Sequence, residues 1–260
     1  MSTTLLQECC DGVLTLTLNR PEVGNAIDLD LARSLMRAAI QCDEDRSVRC
    51  VVLSGAGKFF CAGGDIAGFA AAGAQIPALI KELTAYLHSA IARFARMEKP
   101  LITAVNGAAA GAGFSLAILG DIALASATAS FTMAYSSVGL SPDGGATWML
   151  PRLVGLRRAQ EMMLTGQRLS AAEAAALGLI TRTVDASEFA GEVAKLAARL
   201  ATGPTRALGR TRNLLLSSFY TSLETQMENE ARAVAACAGG AEAREGIAAF
   251  LGKRPVNFLT

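Results

Sequence analysis

The hydrophobic pattern changes period along the chain. In Val13-Leu14-Thr15-Leu16-Thr17-Leu18 the leucines recur at every second position, which predicts a half-buried strand. Leu29, Leu31, Leu35, Met36, Ala39 and Ile40 then follow a helical period that runs out at Asp43-Glu44-Asp45. Cys50-Val51-Val52-Leu53 is a short uninterrupted apolar run, the mark of a strand buried on both faces. Residues 76–97 read as a long helix with Leu79, Ile80, Leu83, Leu87, Ile91 and Phe94 on its inner side, ended by Lys99-Pro100. Leu101-Ile102-Thr103-Ala104-Val105, Ile122-Ala123-Leu124-Ala125, Ser130-Phe131-Thr132-Met133 and residues 179–184 are strand-like. Helices are expected around Trp148, over 157–164, and over 170–177, where Ser170 and Glu173 form a capping box. Residues 186–251 read as helical, broken at Gly203-Pro204 and Gly239-Gly240, with a second capping box at Thr221 and Glu224. Strands and helices thus alternate through residues 1–200, an α/β core, and residues 201–260 form a helical region. Leu214, Leu215, Leu216 and Phe219 there need a surface to cover them, on the core or on another subunit.

One stretch carries chemistry on its face. Asn106-Gly107-Ala108-Ala109-Ala110-Gly111-Ala112-Gly113 joins a strand to a helix through small residues only. Glycine and alanine let another backbone or a ligand come close, and the first turn of a helix has free N–H groups and the positive end of its dipole. The residues alone allow two readings: tight helix–sheet packing, or a seat for a developing negative oxygen. Upstream, Cys61-Ala62-Gly63-Gly64-Asp65 is a similar small-residue loop, with Asp65 placed to cap a helix opening at Ile66.

Composition narrows the function classes. Hydrophobic residues make up 52% and charged ones 18%, enough for a sizeable core. A net charge of +1 supplies no field for nucleic acid or an anionic membrane, so neither is an expected partner. The six cysteines form no CxxC pair, and the single histidine, His88, cannot complete a Cys/His zinc set, so no metal is expected. They are expected to be buried, reduced thiols of a cytoplasmic protein. Residues 1–11 lack the basic start and apolar run of a secretory signal, and the richest apolar segment is broken by Ser115, Gly120 and Asp121 before it spans a bilayer.

Several segments, in order, resemble the crotonase (enoyl-CoA hydratase/isomerase) superfamily. They are Leu18-Asn19-Arg20-Pro21 with Asn25-Ala26, Phe60-Cys61-Ala62-Gly63-Gly64-Asp65-Ile66, Lys99-Pro100 through Asn106-Gly107, Gly139-Leu140-Ser141-Pro142-Asp143-Gly144-Gly145, Leu150-Pro151-Arg152-Leu153-Val154-Gly155, and Phe250-Leu251-Gly252-Lys253-Arg254-Pro255. The resemblance implies a spiral of ββα units with two roughly perpendicular sheets and C-terminal helices used for trimerisation, as a homotrimer or dimer of trimers. It implies an acyl-CoA thioester substrate, with coenzyme A as part of the substrate and no other cofactor. The Gly64 and Ala112 amides would face the thioester oxygen as an oxyanion hole. The backbone at Ala62 and Gly63 would meet the adenine end of CoA, and Phe250 and Lys253 match positions that contact CoA, often from a neighbouring subunit. Arg206, Arg210 and Arg212 would face CoA phosphates or solvent. Residues 67–75 would shape the acyl pocket as a mobile segment.

The acid–base positions decide which member the chain is similar to. Hydratases of the family use two glutamates; those positions here hold Ser115 and Tyr135, neither a base near neutrality. The remaining carboxylate, Asp143 before Gly144-Gly145, stands where double-bond isomerases and ring-epoxide isomerases of the family often carry an aspartate. One carboxylate suffices for a 1,3-proton shift. On the residues alone, Asp143 before Gly144-Gly145 reads first as a turn or capping residue, and it is the family context that favours the acid/base reading. His88, Tyr135 and Asp143 also match positions of 4-chlorobenzoyl-CoA dehalogenase, where a histidine activates water and an aspartate attacks the ring; here Tyr135 replaces a tryptophan and is expected to orient Asp143. The expected activity is an enoyl-CoA isomerase using Asp143. The alternatives are hydration, dehalogenase-like hydrolysis with His88, and a non-catalytic CoA- or RNA-binding scaffold.

Overall fold

Residues 3–259 are described by the structure, a computed structural model. Met1 and Ser2, part of the segment read as carrying no leader, and Thr260 lie outside the described residues. A strand invisible in the pattern opens the fold: β1 (Leu5–Cys10), antiparallel to β2 (Val13–Leu18) at one edge of a sheet. Only Leu5 of β1 is buried, so the edge strand has no alternation to read. A turn signal was present nonetheless. Asp11 and Gly12 both take positive φ, +48° and +79°, the two-residue turn that Asp-Gly favours in a hairpin. The exposure of this edge corrects the reading of the thiols. All six are free, but Cys9 and Cys10 are exposed and Cys237 is half-buried, leaving only Cys42, Cys50 and Cys61 inside.

After α1 (Leu29–Glu44), the next three strands of the larger sheet are each followed by a short strand of a second sheet and then by helix. β3 (Cys50–Gly55) leads to β4 (Phe59–Cys61), then α2 (Ile66–Ala72) and α3 (Ile76–Arg96). β5 (Leu101–Val105) leads to β6 (Ala108–Ala110) and α4 (Ala112–Ala117). β7 (Ile122–Ser126) leads to β8 (Ser130–Thr132), a 3-10 turn over Ala134–Val138, α5 (Ala146–Val154) and α6 (Leu156–Thr165). β9 (Arg168–Ser170), α7 (Ala171–Ala176) and β10 (Arg182–Val184) close the spiral. The larger sheet runs β1-β2-β3-β5-β7-β10, parallel beyond its first pair; the smaller runs β4-β6-β8-β9. This is the ββα spiral with two sheets that the resemblance implied. Of the smaller sheet only β8 is visible in the sequence, within residues 130–133; β4, β6 and β9 escape because three-residue strands are too short to show a period of two.

The central strands are buried on both faces. Val51, Leu53, Leu101 and Val105 face the main core with α1 and α3, while Cys50, Val52, Ile102 and Ala104 face α8 (Phe189–Ala201) through Phe189, Ala197 and Ala201. The rest of the chain is α9 (Thr205–Ser217), α10 (Leu223–Ala238) and α11 (Ala241–Leu251). Leu215 and Phe219 are exposed in the single chain. Among the described residues no helix is long and apolar enough to cross a membrane.

Two buried cations close helix ends. Lys99 donates its Nζ to the carbonyls of Cys42, Asp43 and Asp45 at the end of α1. Arg212 reaches the Phe94 and Met97 carbonyls at the end of α3 and pairs with Asp121 at 2.6 Å. Terminal carbonyls have no partner within their own helix, and a cation satisfies both their lone pairs and the dipole. The expected arginine cluster is therefore split: Arg212 is buried, and Arg210 lies 3.5 Å from Glu98. The second helix cap is also shifted by one residue. Ser222, not Thr221, caps α10, its hydroxyl accepting from the Thr225 amide, while Thr221 bonds to Ser217 and Gln226.

Candidate active site

Two loops meet backbone to backbone. Gly63, at φ +103°, packs so closely on the β6–α4 loop that a Cβ would lie 2.9 Å from the Ala110 carbonyl oxygen. Gly111, at φ +51°, sits opposite, where a Cβ would lie 3.7 Å from the Gly63 α-carbon. Only glycine serves at both positions. The amides beside them are aimed by their neighbours. Ile27 donates to the Gly63 carbonyl at 2.7 Å and accepts from the Asp65 amide at 3.0 Å. That pairing uses the groups on either side of Gly64, so the Gly64 N–H points the other way. Ala112 is the first residue of α4, where a main-chain N–H has no partner in the helix. Neither amide donates to any acceptor among the described residues, and both residues line one cavity of about 340 Å³. With only six residues, α4 contributes the amide itself rather than a sizeable dipole.

Asp143 enters the same cavity and is held at three points. The phenol of Tyr135, on the 3-10 turn after β8, donates to Asp143 Oδ1. Ser115 Oγ, buried in α4, donates to the Asp143 carbonyl at 3.0 Å. The next amide, Gly144 N–H, donates to His88 Nε2 on α3 at 3.1 Å. Gly144 takes φ +61°, and a Cβ there would press on the Ser115 side chain at 2.8 Å, so the turn that presents Asp143 requires glycine. Burial, with the Asp143 carboxylate beside it, pushes the Tyr135 phenol far above its ordinary value; it stays a donor at any working pH. Asp143 Oδ2 makes no hydrogen bond among the described residues and lies 3.8 Å from His88 Nε2.

The remaining walls are mainly apolar, from Ile27, Ile66, Phe69, Ile80, Leu83 and Leu140, with the hydroxyl residues Thr84, Ser137 and Ser141 among them and Asp143 the one carboxylate among the described residues that line the cavity. The structure thus brings Ala62, Gly63, Gly64, Ala112, Tyr135 and Asp143 to one cavity. Of residues 67–75, which form the end of α2 and a 3-10 turn, Phe69 reaches it. The Ala62 N–H is already bound to the Gly24 carbonyl at 2.8 Å, so it is not open to a ligand. His88 touches the Asp143 turn from behind and lines a separate groove with Ile91, Gly144, Trp148 and Met149. Phe250, 83% exposed on α11, and Lys253 just beyond it do not reach the cavity of their own chain.

The support under the Gly64 loop was not read from the sequence. Arg20, in what the pattern marks as a turn, donates to the Ala26 carbonyl at 2.5 Å and lies 3.2 and 3.1 Å from Asp28 and Asp65. Those two aspartates cap α1 and α2 by accepting from Leu31 N and Gly68 N. The Gly68 amide, and after it Arg20, hold the Asp65 carboxyl below the usual carboxylate range against the burial that raises it. Asn25, fully buried at φ +57°, donates to the carbonyls of Ala56, Phe59 and Phe60. The partners lie up to 45 residues apart, so no local pattern points to them.

A family model described as Enoyl-CoA hydratase/isomerase matches residues 8–260. The chain is 41% identical to 1,2-epoxyphenylacetyl-CoA isomerase of Escherichia coli (strain K12), over 95% of each chain. It is 34% identical to 4-chlorobenzoyl coenzyme A dehalogenase-2 of Arthrobacter sp, over 95% of this chain and 90% of that one. The crystal structure of an enoyl-CoA hydratase from Polaromonas sp. JS666 superposes with a TM-score of 0.92 at 34% identity, over 97% and 98% of the two chains.

Proposed function

The chain belongs to the enoyl-CoA hydratase/isomerase family, and from that premise we propose that it is an acyl-CoA isomerase that shifts a double bond with Asp143 as its single acid/base. The observation that carries this reading is the lone carboxylate in the cavity. Hydration by a pair of carboxylates has no second member here: Ser115 is spent on the Asp143 backbone, and Tyr135 is locked as a donor to Asp143.

A 3-enoyl thioester bound with its carbonyl oxygen on the Gly64 and Ala112 amides would present its α-carbon to Asp143. The carboxylate takes the α-proton, the C–H electron pair becomes a double bond between the α-carbon and the carbonyl carbon, and the carbonyl π pair moves onto oxygen. The result is a dienolate, conjugated with the β,γ double bond, whose charge rests on the amide-bound oxygen. The now protonated Asp143 returns the proton to the γ-carbon, and the product is the 2-enoyl thioester, with no net gain or loss of atoms. One such oxyanion donor is worth about 3 kcal/mol of barrier. Tyr135 fixes Oδ1, which leaves Oδ2 to carry the proton. CoA lies as part of the substrate, and no further cofactor enters the scheme. Phe250 and Lys253 are assigned to CoA bound in a neighbouring subunit of a trimer, because in their own chain they stand clear of the cavity.

The test offers the protein 3-enoyl-, 2-enoyl- and 4-chlorobenzoyl-CoA and follows absorbance. Conversion of the first, lost by at least about 1,000-fold in Asp143→Asn, supports isomerisation. Turnover of only the second or third refutes it, and CoA binding without turnover would point to a scaffold.

A further inference from the structure

We propose that His88 is a positioning residue for Asp143 that serves only as a neutral imidazole, and that its protonation turns it from a support of the site into a lock upon it. The proposal rests on the assignment of Asp143 as acid/base. The geometry behind it is the placement of one ring nitrogen between two opposite demands. Nε2 accepts the Gly144 N–H at 3.1 Å, and an acceptor nitrogen carries no proton, so the ring is the Nδ1–H tautomer. The same Nε2 lies 3.8 Å from Asp143 Oδ2, the oxygen that Tyr135 leaves unbonded.

While the ring is neutral, it anchors the backbone directly after Asp143, opposite the Ser115 hydroxyl that anchors the Asp143 carbonyl. The two anchors hold both ends of one peptide unit, the Asp143–Gly144 bond directly after the carboxylate-bearing residue, and Oδ2 stays free. Once the ring gains a proton, Nε2 becomes a donor and cannot keep the Gly144 N–H. Among the described residues, the only anion of the charged and titratable groups facing it is Asp143. The others are Tyr135, held on Asp143 Oδ1, and Arg96 and Tyr220, which line the groove on the solvent side of the ring. A short movement then places a charged N–H on Oδ2, which occupies the oxygen that must take the substrate proton. The side chain is 49% exposed, so protons reach it from the groove without passing through the substrate cavity.

The chain has one histidine, so 15N-histidine labelling reports His88 alone. The expected result at alkaline pH is the Nδ1–H tautomer with a bare Nε2. As the pH is lowered, the Gly144 amide resonance should move with the same midpoint as the ring. These two readings need no substrate and stand apart from the identity of the reaction. On a turned-over enoyl-CoA, kcat of the wild type should fall on the acid side at that midpoint. His88→Gln keeps an acceptor for Gly144 but has no proton to gain; it should hold kcat within about threefold and lose that acid limb. His88→Ala should lower kcat about tenfold with KM little changed. An Nε2–H tautomer, a Gly144 amide indifferent to ring protonation, or an unaltered acid limb in His88→Gln each overturns the proposal.

Discussion

Replacing Arg20 by methionine tests whether the network under the Gly64 loop matters as much as its geometry implies. Methionine keeps an aliphatic stem of similar length and removes only the guanidinium. Asp28 and Asp65, each about 3 Å from that guanidinium, then face one another without a cation, and the Ala26 carbonyl loses its donor. Removing one partner of a fully buried pair costs about 3–5 kcal/mol. These carboxylates retain 31% and 19% exposure, which lets water take over part of the guanidinium's role, so the expected loss is about 2–3 kcal/mol. For 260 residues the unfolding entropy is about 0.55 kcal/mol per kelvin, and the melting temperature should fall by about 4–6 °C. The pH dependence follows from the Asp65 carboxyl, held below its ordinary range in the fold. A group depressed in this way contributes stability that is present above its unfolded value and is lost as pH falls through its folded one. The gap between wild type and Arg20→Met is therefore widest near pH 7 and closes as pH drops below about 4. Thermal melts of both proteins at pH 7, 5 and 3.5 give the comparison. A difference under 1 °C at pH 7, or a gap that persists undiminished at pH 3.5, refutes the reasoning. Because Gly64 directly precedes Asp65, kcat of the variant should also fall at least about threefold at pH 7.

Gly113→Ala would place a Cβ on the Cys61 carbonyl, forcing α4 away from β4 and the Ala112 amide off the substrate oxygen. A loss of about 100-fold or more in kcat with the far-ultraviolet circular dichroism retained is expected, and full activity would remove Ala112 from the oxyanion hole. Thiol titration with an aromatic disulfide at pH 8 should modify Cys9 and Cys10 quickly and Cys237 more slowly. Cys42, Cys50 and Cys61, which burial pushes up to about 12, should react only in denaturant; fast reaction of more than three of the six would contradict the packing.

Much of the fold was legible because its larger elements repeat a period over many residues. β2 alternates and α1 and α3 carry apolar stripes, each a pattern imposed by one neighbouring surface, while β3 and β5 are uninterrupted because both their faces are covered. The Ser170–Glu173 cap was legible for a related reason: both partners lie within one turn. The small-residue loops around Gly64 and Ala112 and the turn Asp143-Gly144-Gly145 were also visible, since close backbone approach and positive φ demand glycine whatever lies around them.

The sequence by itself, then, determined the alternating strands and helices, the glycine turns and the presence of one candidate carboxylate. Tertiary structure decided everything that depends on which distant groups meet. Ser115, Tyr135 and His88 come from three separate elements to hold Asp143, and only their packing reveals that the histidine supports the turn from behind rather than lining the cavity that Asp143 enters. Arg212, expected to face CoA phosphates or solvent, and Lys99, read only as part of a helix stop, proved to be buried plugs on helix ends 115 and 57 residues away. The reason is the range of the interactions. Hydrophobic period and turn chemistry are written within a few residues of one another, whereas a hydrogen bond or ion pair has a reach of about 3 Å in space and none along the chain.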